Sequence, residues 1–382
     1  MAASLETHWL QALIAALQGG QLALLHLLAA LGLTESPYGQ PAWPWPWRLS
    51  GENLLIDLGQ ARRAGIALIF GAAACLMLLA ALLWRRARWY LIATTALVAL
   101  AMPWPDPAAV LVPANPTSFH VAPSAVDAKS LVRGGWLYAQ HCAACHGADL
   151  RGQGERAKSL AVWPPNLAGP LMWRRADGDL VWHVLHGVHD DRGHETMPGF
   201  HDTLSSDDAW ALLDYLKVRA AGETLKSEGQ WTMPVRVADT AVDCPRGARQ
   251  LASWRGQRLR LYLPARPAAA APMEDPRLVT VRVEPGAPPS PDGCVASAPE
   301  IAQTLAWVAG VNSPAGLQFI VDREGYLRAR SSPDRATWSE GDLLCKSGGT
   351  APTPAPPQDG LGALIARMDA EPVRFVKGGV VH

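Results

Sequence analysis

Residues 141–147 read His-Cys-Ala-Ala-Cys-His-Gly, so Cys142, Cys145 and His146 form the C-x-x-C-H pattern of covalent haem c attachment. The spacing has a chemical reason. On a short helical turn, thiols at positions 142 and 145 can each bond one haem vinyl group, and the side chain at 146 then points at the iron. A zinc knuckle would need a second ligand pair at matching spacing, and the next cysteine along the chain is Cys244. A dithiol redox pair would need a surrounding βαβ pattern. The second axial ligand is expected downstream. Met197, within Thr196-Met197-Pro198-Gly199-Phe200, lies 51 residues after His146 in a loop-like stretch. A thioether on the iron raises its potential and suits electron transfer. The alternatives are His183, His186, His189, His194 and His201, any of which would give a bis-histidine iron.

The flanking sequence supplies elements to hold these side chains. Ala128 to Gln140 reads as a helix running into the attachment turn, with Gly134 and Gly135 offering close backbone approach. Leu204-Ser205-Ser206-Asp207-Asp208 opens a second helix with a serine cap and acids in its first turn. That helix carries Trp210, Leu213, Tyr215 and Leu216 towards a core. Two helices crossing at a glycine, with haem between them, make a small all-α fold. Nothing here is spaced for acid–base work, so no catalytic residue is expected.

With these residues in view, 126–221 resembles a class I cytochrome c domain. The matching features are Gly135-x-x-Tyr138, Cys142-Ala-Ala-Cys145-His146-Gly147, Pro164-Pro165-Asn166-Leu167, Gly178-Asp179-Leu180-x-Trp182 leading to Gly187, and Met197-Pro198-Gly199-Phe200. The resemblance implies one covalent haem c, thioether bonds at Cys142 and Cys145, His146 and Met197 as axial ligands, and a carbonyl of Pro164 or Pro165 fixing the proximal imidazole. It also implies attachment of the haem outside the cytoplasm, and an electron-transfer protein rather than an enzyme, alone or as the cytochrome subunit of a larger oxidoreductase.

The whole chain has 382 residues, with 34 basic and 34 acidic side chains, and gives no electrostatic footprint for nucleic acid. Charged residues make up only 18%. That deficit is concentrated in the first 110 residues, which hold six Arg, five acids and no Lys. Uncharged runs at about 8–33, 66–84 and 89–104 are expected membrane spans within an anchor covering 1–107, so a lipid bilayer is an expected partner. Arg85, Arg86 and Arg88 crowd the turn between the second and third spans. The positive-inside rule places that turn in the cytoplasm and the C-terminal part outside, although Arg62 and Arg63 then also lie outside. The expected location is the bacterial inner membrane with the later domains facing the periplasm, where a redox partner protein in the periplasm or membrane would exchange electrons. Pro41-Ala-Trp-Pro-Trp-Pro-Trp47 cannot be helical and reads as an interfacial strap. This loop, the basic turn and Asn115-Pro116-Thr117-Ser118-Phe119 are similar to c-type cytochromes fused to copper-resistance D (CopD) membrane proteins. The alternative reading is a copper-handling or respiratory-complex assembly factor with haem as accessory or sensor. Against it, His8, His26, Cys75, Met77 and Met102 show no shared spacing for copper.

Two linkers are expected, at 108–125 and 222–243, before a final domain at 244–382. There Leu259–Leu263 and Leu278–Val283 read as strands, Pro299–Gly310 as a helix, Gln318–Asp322 and Tyr326–Ala329 as a hairpin, and Gly360–Ala370 as a last helix, with a Pro-rich spacer at Thr350–Pro357. The order, with Phe319-Ile-Val-Asp322-x-x-Gly325-Tyr326, resembles a thioredoxin-like domain. It is a degenerate one, since Pro264-Ala-Arg-Pro-Ala-Ala-Ala-Ala-Pro272 stands where a thiol pair belongs. Of Cys244, Cys294 and Cys345, two are expected to form a structural disulfide and one to be spare. The expected architecture is therefore multidomain: two or three transmembrane helices, an all-α class I cytochrome c domain and an α/β thioredoxin-like C-terminal domain.

Overall fold

A long uncharged run satisfies its own backbone groups when it is helical. In the computed structural model such runs form helices α1 (Ala2–Ala30), α2 (Leu58–Leu83) and α3 (Arg88–Ala101). Within α2, the 25 residues Gly59–Leu83 have a mean hydropathy of 2.7 and are long and apolar enough to cross a membrane. Among the described residues this holds for that helix alone. Helix α1 covers most of the expected span at 8–33, with Ile14–Ala30 as its apolar stretch, and α3 covers most of the expected span at 89–104 as a shorter apolar helix, Arg88–Ala101. The described residues are 2–381 other than 57, 170, 171, 173, 174, 267–271, 332–336, 346–359, 377 and 378. The Pro-rich spacer at 350–357 and most of the Pro/Ala stretch at 264–272 lie outside them.

The chain forms two compact units. The first comprises Met1–His120, Arg174–Asp179 and Val376–Gly379. Here the expected linker at 108–125 contributes a short helix, Pro107–Val110, and a strand β2 (Leu111–Pro113) that pairs antiparallel with β1 (Trp47–Leu49). The Pro/Trp strap is anchored at Trp43, while Trp45 and Trp47 are exposed. Trp43 is buried, lies edge-on to Trp45 at 4.9 Å and tilted against Phe119 at 4.8 Å, and donates from Nε1 to the Trp47 carbonyl at 2.9 Å. Asn115 and Ser118 have a structural task. With Arg48 they all donate to the Asp179 carboxylate, at 3.2, 2.5 and 2.9 Å respectively. Gly178 is obligatory beside them, since a Cβ there would lie 1.7 Å from the Thr117 carbonyl oxygen. Arg48 and Asp179 are both buried. Removing one partner of a buried pair strands the other charge, so Asp179→Ala is expected to cost about 3–5 kcal/mol in denaturant unfolding of this unit.

The second unit comprises Val121–Trp173, Leu180–Phe375 and Val380–His382. Helix α4 (Ala128–His141) starts at Asp127, whose carboxylate accepts from the Lys129 and Ser130 amides. It runs into the one-turn helix α5 (Ala143–His146). Helix α6 (Asp177–His186) leads to a two-stranded hairpin of β3 (Val188–His189) and β4 (Glu195–Met197). Helix α7 (Ser206–Glu228) opens on a reciprocal capping box between Ser205 and Asp208. Helices α4 and α7 cross at Gly134, where a Cβ would lie 2.1 Å from the Ala211 carbonyl oxygen.

A mixed five-stranded sheet follows: β5 (Leu259–Tyr262), β6 (Val279–Val283), β7 (Cys294–Ala296), β8 (Gln318–Val321) and β9 (Leu327–Arg330). The spatial order is β9-β8-β5-β6-β7. Strands β5, β6 and β7 run parallel to one another, whereas β8 is antiparallel to both β5 and β9. Helix α8 (Pro299–Ala309) buries Ile301, Leu305 and Val308. Helix α9 (Gly360–Ala370) sets Leu364, Ile365 and Met368 against Ile320, Ala329 and Leu343. The Arg328 guanidinium is fully buried beneath this contact, donating to the Asp322 carboxylate and to the carbonyls of Cys345, Met368 and Glu371. Cys244 is disulfide-bonded to Cys294, and Cys345 is a buried free thiol whose pKa burial pushes up to about 11.

One domain boundary is corrected. The stretch 222–243 is not a linker: α7 continues to Glu228, and Leu225, Trp231, Val235, Val237 and Ala238 are buried. A single apolar core runs from Leu131 and Leu212 through these residues to Val281 and Phe319. Gly222 is not a helix stop. A Cβ there would lie 1.8 Å from the Trp307 carbonyl oxygen, so glycine lets α8 close onto α7.

Candidate haem site

The attachment turn is built by backbone hydrogen bonds that continue α4. The Cys142 amide donates to the Tyr138 carbonyl and the His146 amide to the Cys142 carbonyl, both at 2.9 Å. Gly147 ends the turn at φ +78°, and its carbonyl accepts from the Tyr138 hydroxyl at 2.5 Å. Both thiols are unbonded; Cys142 is buried and Cys145 half-buried. Burial, and secondarily Cys145, pushes the Cys142 thiol up to about 12, so it rests as the neutral thiol. His146 is also buried. Burial lowers its pKa, which favours the neutral imidazole that ligates metals. Its Nδ1 is buried without a hydrogen-bond partner, and a backbone interaction with Pro165 opposes that lowering. The Pro164 carbonyl faces Gly152, where a Cβ would lie 2.2 Å away.

The loop that carries these prolines is tied to the turn. The Gly152 amide donates to the His146 carbonyl at 2.8 Å, and the Leu167 amide to the Leu150 carbonyl at 2.8 Å. Gly154 lies so close that a Cβ would be 2.3 Å from the Ala144 carbonyl oxygen. Leu150 is the residue that sequence reasoning missed. It is fully buried and adopts φ +66°, a conformation that L-residues rarely take. An apolar residue between Asp149 and Arg151 gives no periodic signal in the sequence.

Met197 closes β4 and pairs in register with Val188. Its hairpin is pressed against the end of α6. A Cβ on Gly187 would lie 2.6 Å from the Met197 carbonyl oxygen, and one on Gly199 would lie 2.8 Å from the Leu185 carbonyl oxygen. Met197 is half-buried. The candidate histidines take other positions. His186 is stacked between Trp182 at 3.7 Å and His201 at 5.7 Å, with its pKa lowered by burial and then by His201. His201 also pairs with Asp202, and His194 with Asp190. His183 is half-buried and His189 exposed. Among the described residues, no group of three or more His, Cys, Asp or Glu is placed to hold a metal ion.

The donor set fits a covalently held haem: two unbonded thiols and, on the same turn, a buried imidazole whose pKa burial lowers and whose Nδ1 is left unpartnered. Comparison with known proteins agrees over the same stretch. Residues 130–216 match the family described as cytochrome C oxidase, cbb3-type, subunit III. This part of the chain is a c-type cytochrome domain, which implies covalent haem c and an electron-transfer role.

No curated protein shows significant similarity to the chain. One similar solved structure is the Kuenenia stuttgartiensis reducing HAO-like protein complex Kustc0457/Kustc0458. The match has 20% identity and a TM-score of 0.23, and covers 28% of this chain and 50% of that one. The chain thus spans half the length of that relative.

Proposed function

We propose that the protein is a membrane-anchored c-type cytochrome that carries single electrons through one haem c, bonded at Cys142 and Cys145, with His146 and Met197 as axial ligands. The observation that carries this reading is the attachment turn itself: Cys142, Cys145 and the buried His146 on α5, inside the stretch that matches a cytochrome family. When bound, haem c takes up and releases one electron at its iron. The protein's part is positional and electrostatic. Pro165 orients the His146 ring through its second nitrogen, burial keeps that ring neutral, and the β3–β4 hairpin presents the Met197 thioether.

The apolar helix α2 supports an anchor in the lipid bilayer. Arg85 and Arg86 between α2 and α3, and Arg88 at the start of α3, support a cytoplasmic turn at the bacterial inner membrane. The exposed Trp89, in the first turn of α3, and Trp104, just beyond its end, lie where interfacial residues would. Local thinning of the bilayer accommodates so short a helix. The cytochrome and the sheet then face the periplasm, where a redox partner protein meets them. The sheet order β9-β8-β5-β6, with β5 and β6 parallel, supports the thioredoxin-like reading of the C-terminal region. Pro264–Pro272 has no thiol, so dithiol exchange has no pair to use there. The Pro/Trp strap and Asn115–Phe119 support the likeness to CopD-fused cytochromes.

A potentiometric titration of the purified full chain tests this function. The reduced-minus-oxidised visible spectrum is expected to follow a single one-electron curve. A chain with no redox-active absorption, or one that titrates in two-electron steps, contradicts it.

A further inference from the structure

We propose that Trp307, on α8 of the sheet region, is a positioning residue for the turn that carries Cys142, Cys145 and His146. The inference rests on the haem being attached at that turn. The contact path is continuous. Trp307 meets Tyr215 of α7 edge-on, with ring centroids 4.9 Å apart and planes at 81°. Tyr215 packs against Tyr138 of α4 at 5.5 Å and 43°. The Tyr138 hydroxyl donates to the carbonyl of Gly147, the residue that follows His146.

The indole is locked at its own end. It fills the space that a side chain at Gly135 would need, since a Cβ there would lie 2.7 Å from Trp307 Cη2 and 3.0 Å from Tyr215 Cε2. Its backbone carbonyl closes on Gly222, and Trp231 Nε1 donates to the next carbonyl, that of Val308, at 2.8 Å. The ring therefore cannot slide along α4 or α7. A packed interior passes displacement on because it has no slack. Without the indole, a void opens beside Tyr215. The two tyrosines relax into it, and the hydroxyl that holds Gly147 is drawn away from the turn. The α4–α7 crossing alone provides the Tyr138–Tyr215 contact, and the sheet region adds the brace behind it.

The test uses the full-length haem-loaded protein with Trp307→Leu, Trp307→Phe, Tyr138→Phe, the Trp307→Leu/Tyr138→Phe pair, and Leu364→Ala. Leu364 is fully buried between α9 and the sheet and touches none of the path, so its variant reports on stability alone. The readouts are binding of added imidazole to the oxidised protein, the reduction potential and thermal unfolding. A less firmly held attachment turn would let the haem bonded to it shift relative to the Met197 hairpin, so added imidazole would compete more readily for the iron. Trp307→Leu is therefore expected to bind imidazole about threefold to tenfold more tightly, the scale of one aromatic contact. Trp307→Phe should recover most of the difference and Tyr138→Phe should reproduce it, with the pair no larger than the stronger single variant. Leu364→Ala should lower only the unfolding midpoint.

Unchanged imidazole binding and potential in Trp307→Leu, or an equal shift in Leu364→Ala, overturns the proposal. Should Trp307→Leu not accumulate, Trp307→Phe and Tyr138→Phe decide it: fully additive effects, or none, overturn it. Covalent haem in the wild type is established first. Its absence defeats the attachment reading, whereas its presence without the imidazole shift defeats only this one.

Discussion

Replacing Cys142 and Cys145 together by alanine is expected to remove all haem from the denatured chain. Haem c is held by two thioether bonds, and each requires one of these sulfurs. Cys75 lies within α2 and Cys345 is buried in the sheet region, while Cys244 and Cys294 are committed to each other, so no other thiol can substitute. Haem staining after denaturing electrophoresis reads the result directly. Wild type should stain at full strength and the double variant not at all. Either single variant should retain a weaker signal through its remaining sulfur. Staining of the double variant at the wild-type level would show that attachment happens elsewhere.

The second large effect is expected at Met197. A thioether ligand stabilises reduced iron relative to a harder ligand such as water or imidazole, and so raises the potential. Met197→Ala should therefore lower the potential by on the order of 0.1–0.3 V, part of the ~0.8 V range that axial ligands command. It should also abolish the charge-transfer band of the methionine–iron bond in the oxidised protein. The hairpin should survive, because β3 and β4 pair through the backbone. If potential and band are both unchanged, one of His183, His186, His189, His194 or His201 is the ligand. The Trp182–His186–His201 stack makes His186 the first of these to replace.

What was legible in the sequence and what was not divides along physical lines. The attachment turn is a local object. Its three functional side chains must lie within five residues, so the pattern shows itself without any tertiary knowledge. The Ser205 cap, the Asp322–Tyr326 hairpin turn and helix α9 were readable for the same reason. Strand β7 was missed because three residues, Cys294–Ala296, are too few to show an alternating pattern. Gly222 stands at the start of the expected linker, yet it lies within helix α7. What requires glycine there is a backbone oxygen from α8, more than 80 positions later, which no local signal announces. The same non-local contact turns an expected linker into core, with Trp231 anchored to Val308. Asp179 resembled part of a cytochrome motif, and the structure shows it accepting from Arg48, Asn115 and Ser118. The choice between Pro164 and Pro165 as partner of His146 is open in the sequence, because adjacent prolines differ only in where their carbonyls point. Leu150 had no signal, since backbone conformation is not written in one residue's hydrophobicity.

The most direct test of the central claim is the intact mass of the wild-type chain, measured after full denaturation and acid–acetone extraction. The account predicts the polypeptide plus one haem, because two thioether bonds at Cys142 and Cys145 survive unfolding. A chain at its unmodified mass, with all haem in the extract or none present, would contradict it.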